Sequence, residues 1–230
     1  MKTHLAAITV GLTLLMEVNP ANAIELYNGL SIPSQTPEQQ GWLYQSKPPA
    51  PAPSVTATSK GTIVDTTGNI NKDVGYFRQS PAPLNRKTGY TIRFSVQINS
   101  QSSQSNDSAG FSVIFSSALL AGETQPYGIE LDFWQSSIWA QNANFTPGEK
   151  VSYNTSAAVR NYRLYVKGKN YKLFADGSST PILKGQLRQY TGGAPFPEAP
   201  NPYSTPNMIF LGDKTTSAGA KVTLVRVSVD

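Results

Sequence analysis

Between Gly89 and Asn99 the chain alternates strictly. Tyr90, Ile92, Phe94, Val96 and Ile98 are separated by Thr91, Arg93, Ser95, Gln97 and Asn99, the two-residue period of a strand with one buried and one wet face. Ala109–Ser116 (AGFSVIFS) resumes the pattern with Phe111, Val113 and Phe115 in phase. Tyr127–Asn142 (YGIELDFWQSSIWAQN) reads as strand, turn and strand, with Ile129, Leu131 and Phe133 on one face and Glu130, Asp132 and Trp134 on the other. Asn161–Gly177 (NYRLYVKGKNYKLFADG) predicts a hairpin in which Tyr162, Leu164 and Val166 face Tyr171, Leu173 and Ala175 across a turn near Gly168. In Ala220–Val229, Val222 and Leu224 fall out of phase with Val225, Val227 and Val229, which implies a bulge near Leu224 or burial on both faces. About a dozen short strands divided by turn residues, with no helical periodicity and no internal repeat, predict an all-β antiparallel sandwich of two sheets.

The remaining segments set the organisation. Met1–Ala23 has a basic start at Lys2, an apolar run from Leu5 to Met16, a break at Pro20 and small residues at Ala21 and Ala23. That order describes a secretory signal cleaved after Ala23, and its apolar run is too short to span a bilayer. Residues 24–60 form an N-terminal segment: a polar, turn-rich Ile24–Gln40, a short strand at Gly41–Gln45 and a stiff proline-rich loop at Lys47–Pro53 (KPPAPAP). Residues 61–230 form the sandwich, with 41–60 as an edge. The mature chain shows no transmembrane segment, so the expectation is a secreted, periplasmic or extracellular protein.

Composition narrows the chemistry. The 230 residues include no cysteine, and the one histidine is His4 in the leader. The mature chain therefore has no Ser-His-Asp or Cys-His catalysis, no disulfide and none of the usual zinc ligand sets. Only carboxylates, hydroxyls, amides, Lys and Arg remain. The net charge of +5 permits attraction to acidic polysaccharide, a membrane surface or nucleic acid. The densest basic group, Arg160, Arg163, Lys167, Lys169 and Lys172, reads as the solvated face of the predicted hairpin. No basic stripe with interleaved aromatics marks a nucleic-acid reader.

The segments GYTIRFSVQI, AGFSVIF, YGIELDFW, IWAQN, NYRLYVKGKNYKLFADG and NMIFLGDKTTSAGAKVTLVRVSV together resemble the concanavalin A-like lectin and glucanase superfamily, whose fold is a jelly-roll sandwich with a concave face. More narrowly, AGFSVIF, ELDFWQSSIWAQN, GQLRQY and PYSTPNMIFLGDKTTSA look like exported bacterial choice-of-anchor modules. The resemblance runs from about Gly41 to Val229 and implies a jelly roll in the bacterial cell envelope. The chain lacks the C-terminal anchor that gives those modules their name.

The outer face of Tyr127–Asn142 holds the candidate site. Laminarinase-like glycosidases of the superfamily carry a Glu-x-Asp-x-Glu strand; here Glu130 and Asp132 match, but the last place is Trp134, or Gln135 across a bulge. The acid/base that a retaining hydrolase needs is missing, so hydrolysis requires a carboxylate from a distant loop, such as Glu123, Glu149 or Asp176. Binding asks for less. Aromatic faces stack on sugar rings while carboxylates and amides hydrogen-bond to hydroxyls, so Glu130, Asp132, Trp134, Trp139, Gln141 and Asn142 are the expected ligand-binding residues. The bland alternative leaves Trp139 in the core and Trp134 capping the sheet. Asp213, beside Thr215, Thr216 and Ser217, is a candidate calcium ligand without the dense carboxylates of a dedicated loop; no other cofactor is expected. Asn106, Asn144 and Asn154 begin sequons that matter only in a eukaryotic secretory pathway. The leading expectation is a non-enzymatic module binding an extracellular polysaccharide or cell-surface component. A structural or adhesion protein and a degenerate glycoside hydrolase are the alternatives.

Overall fold

The computed structural model describes residues 23–46, 53–68, 73–103, 108–192 and 196–230; most of the predicted signal, the centre of the proline-rich loop and the Asn106 sequon lie outside these. Fifteen strands occur among the described residues: β1 (Ile24–Asn28), β2 (Leu43–Ser46), β3 (Ser54–Thr58), β4 (Gly61–Asp65), β5 (Val74–Gln79), β6 (Tyr90–Ser103), β7 (Ser112–Ser116), β8 (Gly128–Trp134), β9 (Ser137–Gln141), β10 (Pro147–Ser152), β11 (Arg160–Lys167), β12 (Asn170–Ala175), β13 (Leu183–Gln186), β14 (Met208–Asp213) and β15 (Ala218–Val229). One sheet has the order β13-β12-β11-β6-β15-β4-β3, with β1 pairing β15 beside it; the other has the order β10-β9-β8-β7-β14-β5-β2. The pairs are antiparallel, and the two sheets form the expected jelly-roll sandwich.

The alternation read from the sequence places the core. Ile92, Phe94, Val96 and Ile98 of β6 and Leu164 and Val166 of β11 pack against Val113 and Phe115 of β7 and Ile129, Leu131 and Phe133 of β8. Phe94 stacks on Tyr162 with ring centroids 5.2 Å apart and lies 5.9 Å from Phe115 and 5.8 Å from Phe133 in the facing sheet. The β11–β12 hairpin pairs Tyr162 with Ala175, Leu164 with Leu173 and Val166 with Tyr171. Along β15 the register against β6 shifts between Lys221 and Val222 and again between Leu224 and Arg226. These bulges return Val222, Leu224 and Val227 to one buried face despite their sequence phase.

The N-terminal segment belongs to both sheets. Ile24–Asn28, expected to be turn-rich, pairs with β15 because its short apolar pair is drawn inward: Leu26 and Tyr27 are buried, and the Tyr27 hydroxyl donates to Thr62 Oγ1 at 2.8 Å. Trp42 is likewise buried and its indole N–H donates to the Leu26 carbonyl at 2.9 Å. β2 then adds to the edge of the seven-stranded sheet, with Tyr44 against Tyr76 at 5.3 Å.

Phe94→Ala is expected to lower unfolding free energy by about 3–5 kcal/mol, measured by denaturant titration, because it empties the position where rings of both sheets meet.

Candidate functional site

Ile129, Leu131 and Phe133 of β8 face the other sheet, so Glu130, Asp132 and Trp134 project from the opposite side, as the sequence pattern requires. Trp139 of β9 lies across the ladder from Asp132, and Ser112 of β7 lies on its other flank. The predicted residues thus share one outer face. That face is not open at its centre: Glu130 and Asp132 are fully buried and Gln141 nearly so.

The cover is the chain between β13 and β14. Tyr190, Phe196 and Tyr203 from this stretch pack with Phe77, Ile114, Met208 and Phe210, forming a second hydrophobic cluster on the outer side of the sheet. Arg188 exchanges backbone hydrogen bonds of 2.8 Å with Gly128 at the start of β8. The Tyr190 hydroxyl accepts from the Glu130 amide at 3.0 Å and donates to the Gln141 carbonyl at 2.9 Å, so it bridges two backbone groups where β8 and β9 part. Tyr203 donates to Glu130 Oε2 at 2.9 Å, and Phe145 from the β9–β10 turn packs on both tyrosines at 5.7 and 5.3 Å.

Lys214, just after β14, completes the enclosure. Its Nζ lies 2.9 Å from Glu130 Oε1, and its side chain is almost wholly buried. Burial alone would lower the lysine, but Glu130 and then Asp132 outweigh it and hold the ammonium above its ordinary range. Asp132 is pushed well above the carboxylate range, first by burial and then by the neighbouring charge of Glu130, against the pull of Lys214 and of a hydrogen bond from Gln141 Nε2. The cluster therefore pairs Glu130 with Lys214 beside a second carboxyl, Asp132, whose ionisation burial and the neighbouring carboxylate disfavour. Burial also raises Tyr190 and Tyr203 far above neutrality, and the charge of Glu130 adds to it, so both act as neutral donors.

Around this centre the expected residues divide. Trp139 is only 6% exposed and carries Lys150 Nζ 4.4 Å from its ring centroid. Trp134, 5.6 Å from Trp139, is partly exposed. The indole N–H groups of both are buried and have no acceptor among the described residues. Asn142 is partly exposed and holds the β9–β10 turn, donating to the Pro147 carbonyl at 3.2 Å and accepting from Arg188 at 3.3 Å. Asp213, next to Lys214 in the chain, is buried with hydrogen-bond partners of its own. It accepts from Thr66 Oγ1 at 2.6 Å and from the Thr215 amide at 3.1 Å, and burial raises it well above the carboxylate range. Among the described residues no three His, Cys, Asp or Glu side chains gather to hold a metal ion. The distant carboxylates weighed as acids are each held by an arginine: Glu123 by Arg86, Glu149 by Arg188 and Asp176 by Arg160.

Sequence reasoning missed Lys214, Tyr190 and Tyr203. The available signal was aromatic residues within a glycine- and proline-rich stretch, where two tyrosines and a phenylalanine need a surface to cover.

Beyond Trp134 the same sheet ends in an open depression of about 570 Å³ lined by Gln135, Ser136, Ser152, Tyr153, Asn154 and Ser156. Its lining is uncharged amides and hydroxyls with one aromatic ring. Tyr153 donates to Asp176 Oδ2 at 2.8 Å. Its phenol is pushed up to about 12 by burial and then by that hydrogen bond, and the Arg160 guanidinium, paired with the same Asp176, lies 5.5 Å from its ring centroid.

No family model matches the chain, and no curated protein is similar to it in sequence. Solved structures are similar in shape. A Bacillus subtilis protein of unknown function with a galectin-like fold aligns over 89% of this chain and 94% of its own, at 10% identity and a TM-score of 0.54. A variant of the Emp46p carbohydrate recognition domain aligns over 89% and 94%, at 11% identity and a TM-score of 0.50. The fold is that of a lectin-like β-sandwich. At such identities the likeness is one of architecture.

Two outcomes test the buried cluster. Lys214→Met should destabilise the protein by about 3–5 kcal/mol, because it strands a buried carboxylate, and adding Glu130→Gln should restore most of that loss in the same denaturant titration. Because native Asp132 keeps its proton to higher pH than the unfolded chain, unfolding releases a proton. Stability should then fall as pH rises from about 4 toward the native value. Asp132→Asn should flatten this fall in pH-dependent melts, with Asp213, shifted in the same direction, supplying the slope that remains.

Proposed function

We propose that this chain is an exported, non-enzymatic β-sandwich module that binds a polysaccharide, using the open end of its seven-stranded sheet. The observation that carries the reading is the depression beside Trp134, where the Tyr153 ring stands among Gln135, Asn154 and three serine hydroxyls with no charged side chain in the lining. A sugar ring offers apolar C–H faces to an aromatic and hydroxyls to amides, and this lining matches both demands. Trp134, on the outer face of the strand that ends at this depression, adds a second partly exposed ring. Glu130, Asp132 and Gln141 support the strands beneath it, and Trp139 and Asn142 brace the neighbouring strand and turn.

Access argues against catalysis. A retaining glycosidase needs two carboxyl groups that reach the glycosidic bond. Glu130 and Asp132 are both buried, and Lys214, Tyr190 and Tyr203 close around Glu130. The leader-like Met1–Ala23 supports export. The likeness of AGFSVIF and PYSTPNMIFLGDKTTSA to choice-of-anchor modules supports a bacterial cell-envelope setting. The carbohydrate recognition domain among the similar structures supports the ligand class.

A glycan array probed with the protein, Trp134→Ala, Tyr153→Ala and Glu130→Gln tests this reading. Neutral glycans should bind, and each aromatic truncation should weaken binding by about tenfold, the scale of losing one stacked ring. Absence of binding to every glycan would leave the structural or adhesion role. Release of reducing sugar that disappears in Glu130→Gln would make the protein a hydrolase.

A further inference from the structure

The outer face of the eight-stranded sheet carries a second arrangement, remote from the depression beside Trp134. The β11–β12 register sets Tyr165 across from Lys172, and the β12–β13 register sets Lys172 directly across from Lys184. In the adjoining row Lys167 faces Asn170, and Asn170 faces Gln186. These six side chains line a depression of about 600 Å³. The three lysines are exposed, and Tyr165 is half-buried between them. None of the three has a carboxylate within ion-pair distance among the described residues. Glu149, on the inner side of neighbouring Gly185, is already engaged by Arg188. In the next row Arg163 lies opposite Arg93, which pairs with Asp230 at 3.2 Å, and the Arg163 guanidinium is 3.8 Å from the Phe174 ring centroid.

This arrangement works against the fold. Like charges directly opposite one another on neighbouring strands repel, and an edge strand such as β13 tolerates any polar residue at position 184. A depression this wide also leaves the β11–β13 end of the sheet face uncovered. Both features are explained by a ligand that brings negative charge at spaced intervals and a ring to lie on Tyr165. We propose that this face is a binding site for an acidic polysaccharide, whose carboxylates or sulfates bridge Lys167, Lys172 and Lys184 while a sugar ring stacks on Tyr165 and its hydroxyls reach Asn170 and Gln186. The chemistry favours this occupant over two others. A single-stranded nucleic acid would use successive stacking platforms, whereas the depression offers one ring. A membrane surface would favour exposed apolar side chains beside the lysines, and its lining has none.

The site stands independently of the neutral-sugar reading, and its test uses different variants. Affinity of the protein for dextran sulfate and for polygalacturonate is measured across a salt series, with neutral dextran, single-stranded DNA and anionic phospholipid vesicles as comparison ligands. Both acidic polysaccharides should bind, with affinity falling as salt rises, and neutral dextran should not compete. Lys172→Gln/Lys184→Gln should weaken polysaccharide binding at least about tenfold and reduce the salt dependence. Lys60→Gln/Lys221→Gln, which removes the same charge elsewhere, should change it by less than about twofold. Tyr165→Leu should also weaken binding while leaving the salt dependence intact. The melting temperature of Lys172→Gln/Lys184→Gln should be equal to or above that of the parent, which separates loss of binding from loss of fold. Equal losses in both double-lysine variants would reduce the effect to net charge and overturn the site. Tighter binding to DNA or to vesicles than to either acidic polysaccharide would overturn the ligand assignment.

Discussion

A carboxylate taken out of water needs a cation, a proton or a set of donors, and β8 takes two of them out together. Much of the outer half of this molecule follows from how that demand is met. Glu130 receives Lys214 and the Tyr203 hydroxyl; Asp132 accepts from Gln141, and burial disfavours its ionisation. Meeting those needs recruits the turn after β14, the β9–β10 turn and the long connection between β13 and β14. These elements are distant in sequence, and the polar cluster fixes their relative positions. The hydrophobic cluster around Phe77, Phe196 and Phe210 then seals the edges and keeps the local dielectric low, which strengthens the ion pair it encloses.

The sandwich was legible because the period of a strand is local. Tyr90–Ile98, Ile129–Phe133 and the Tyr162–Ala175 hairpin each announce their inner face within a few residues, and the register confirms them. The phase conflict in β15 also announced its bulge. Exposure of the outer face was not legible, because a strand pattern says which side faces the partner sheet but not what else covers the other side. The covering residues lie some sixty to eighty positions downstream, in a stretch whose glycines and prolines read as an ordinary surface loop. Leu26 and Tyr27 were missed for a related reason: two apolar residues are too few to show a period, and only pairing with β15 makes them a strand.

The two outer faces of the sandwich differ in electrostatic character. The seven-stranded sheet neutralises its charges internally and ends in uncharged amides and hydroxyls around Tyr153. The eight-stranded sheet leaves its lysines unpaired in register across β12 and β13. The two proposed binding chemistries thus fall on different sheets of one fold, on surfaces that do not overlap.

The Tyr190 hydroxyl gives the covering segment a mechanical role. By joining the Glu130 amide to the Gln141 carbonyl, it supplies the link that β8 and β9 no longer make to each other as they diverge. The segment is therefore stitched into the sheet's own backbone network and does not lie on it as a detachable lid. Lifting it would strip a main-chain donor and a main-chain acceptor at once, so the cover and the strand ends beneath it unfold as one cooperative unit. Exchange of the Glu130 amide with solvent consequently reports the opening of a segment sixty residues away.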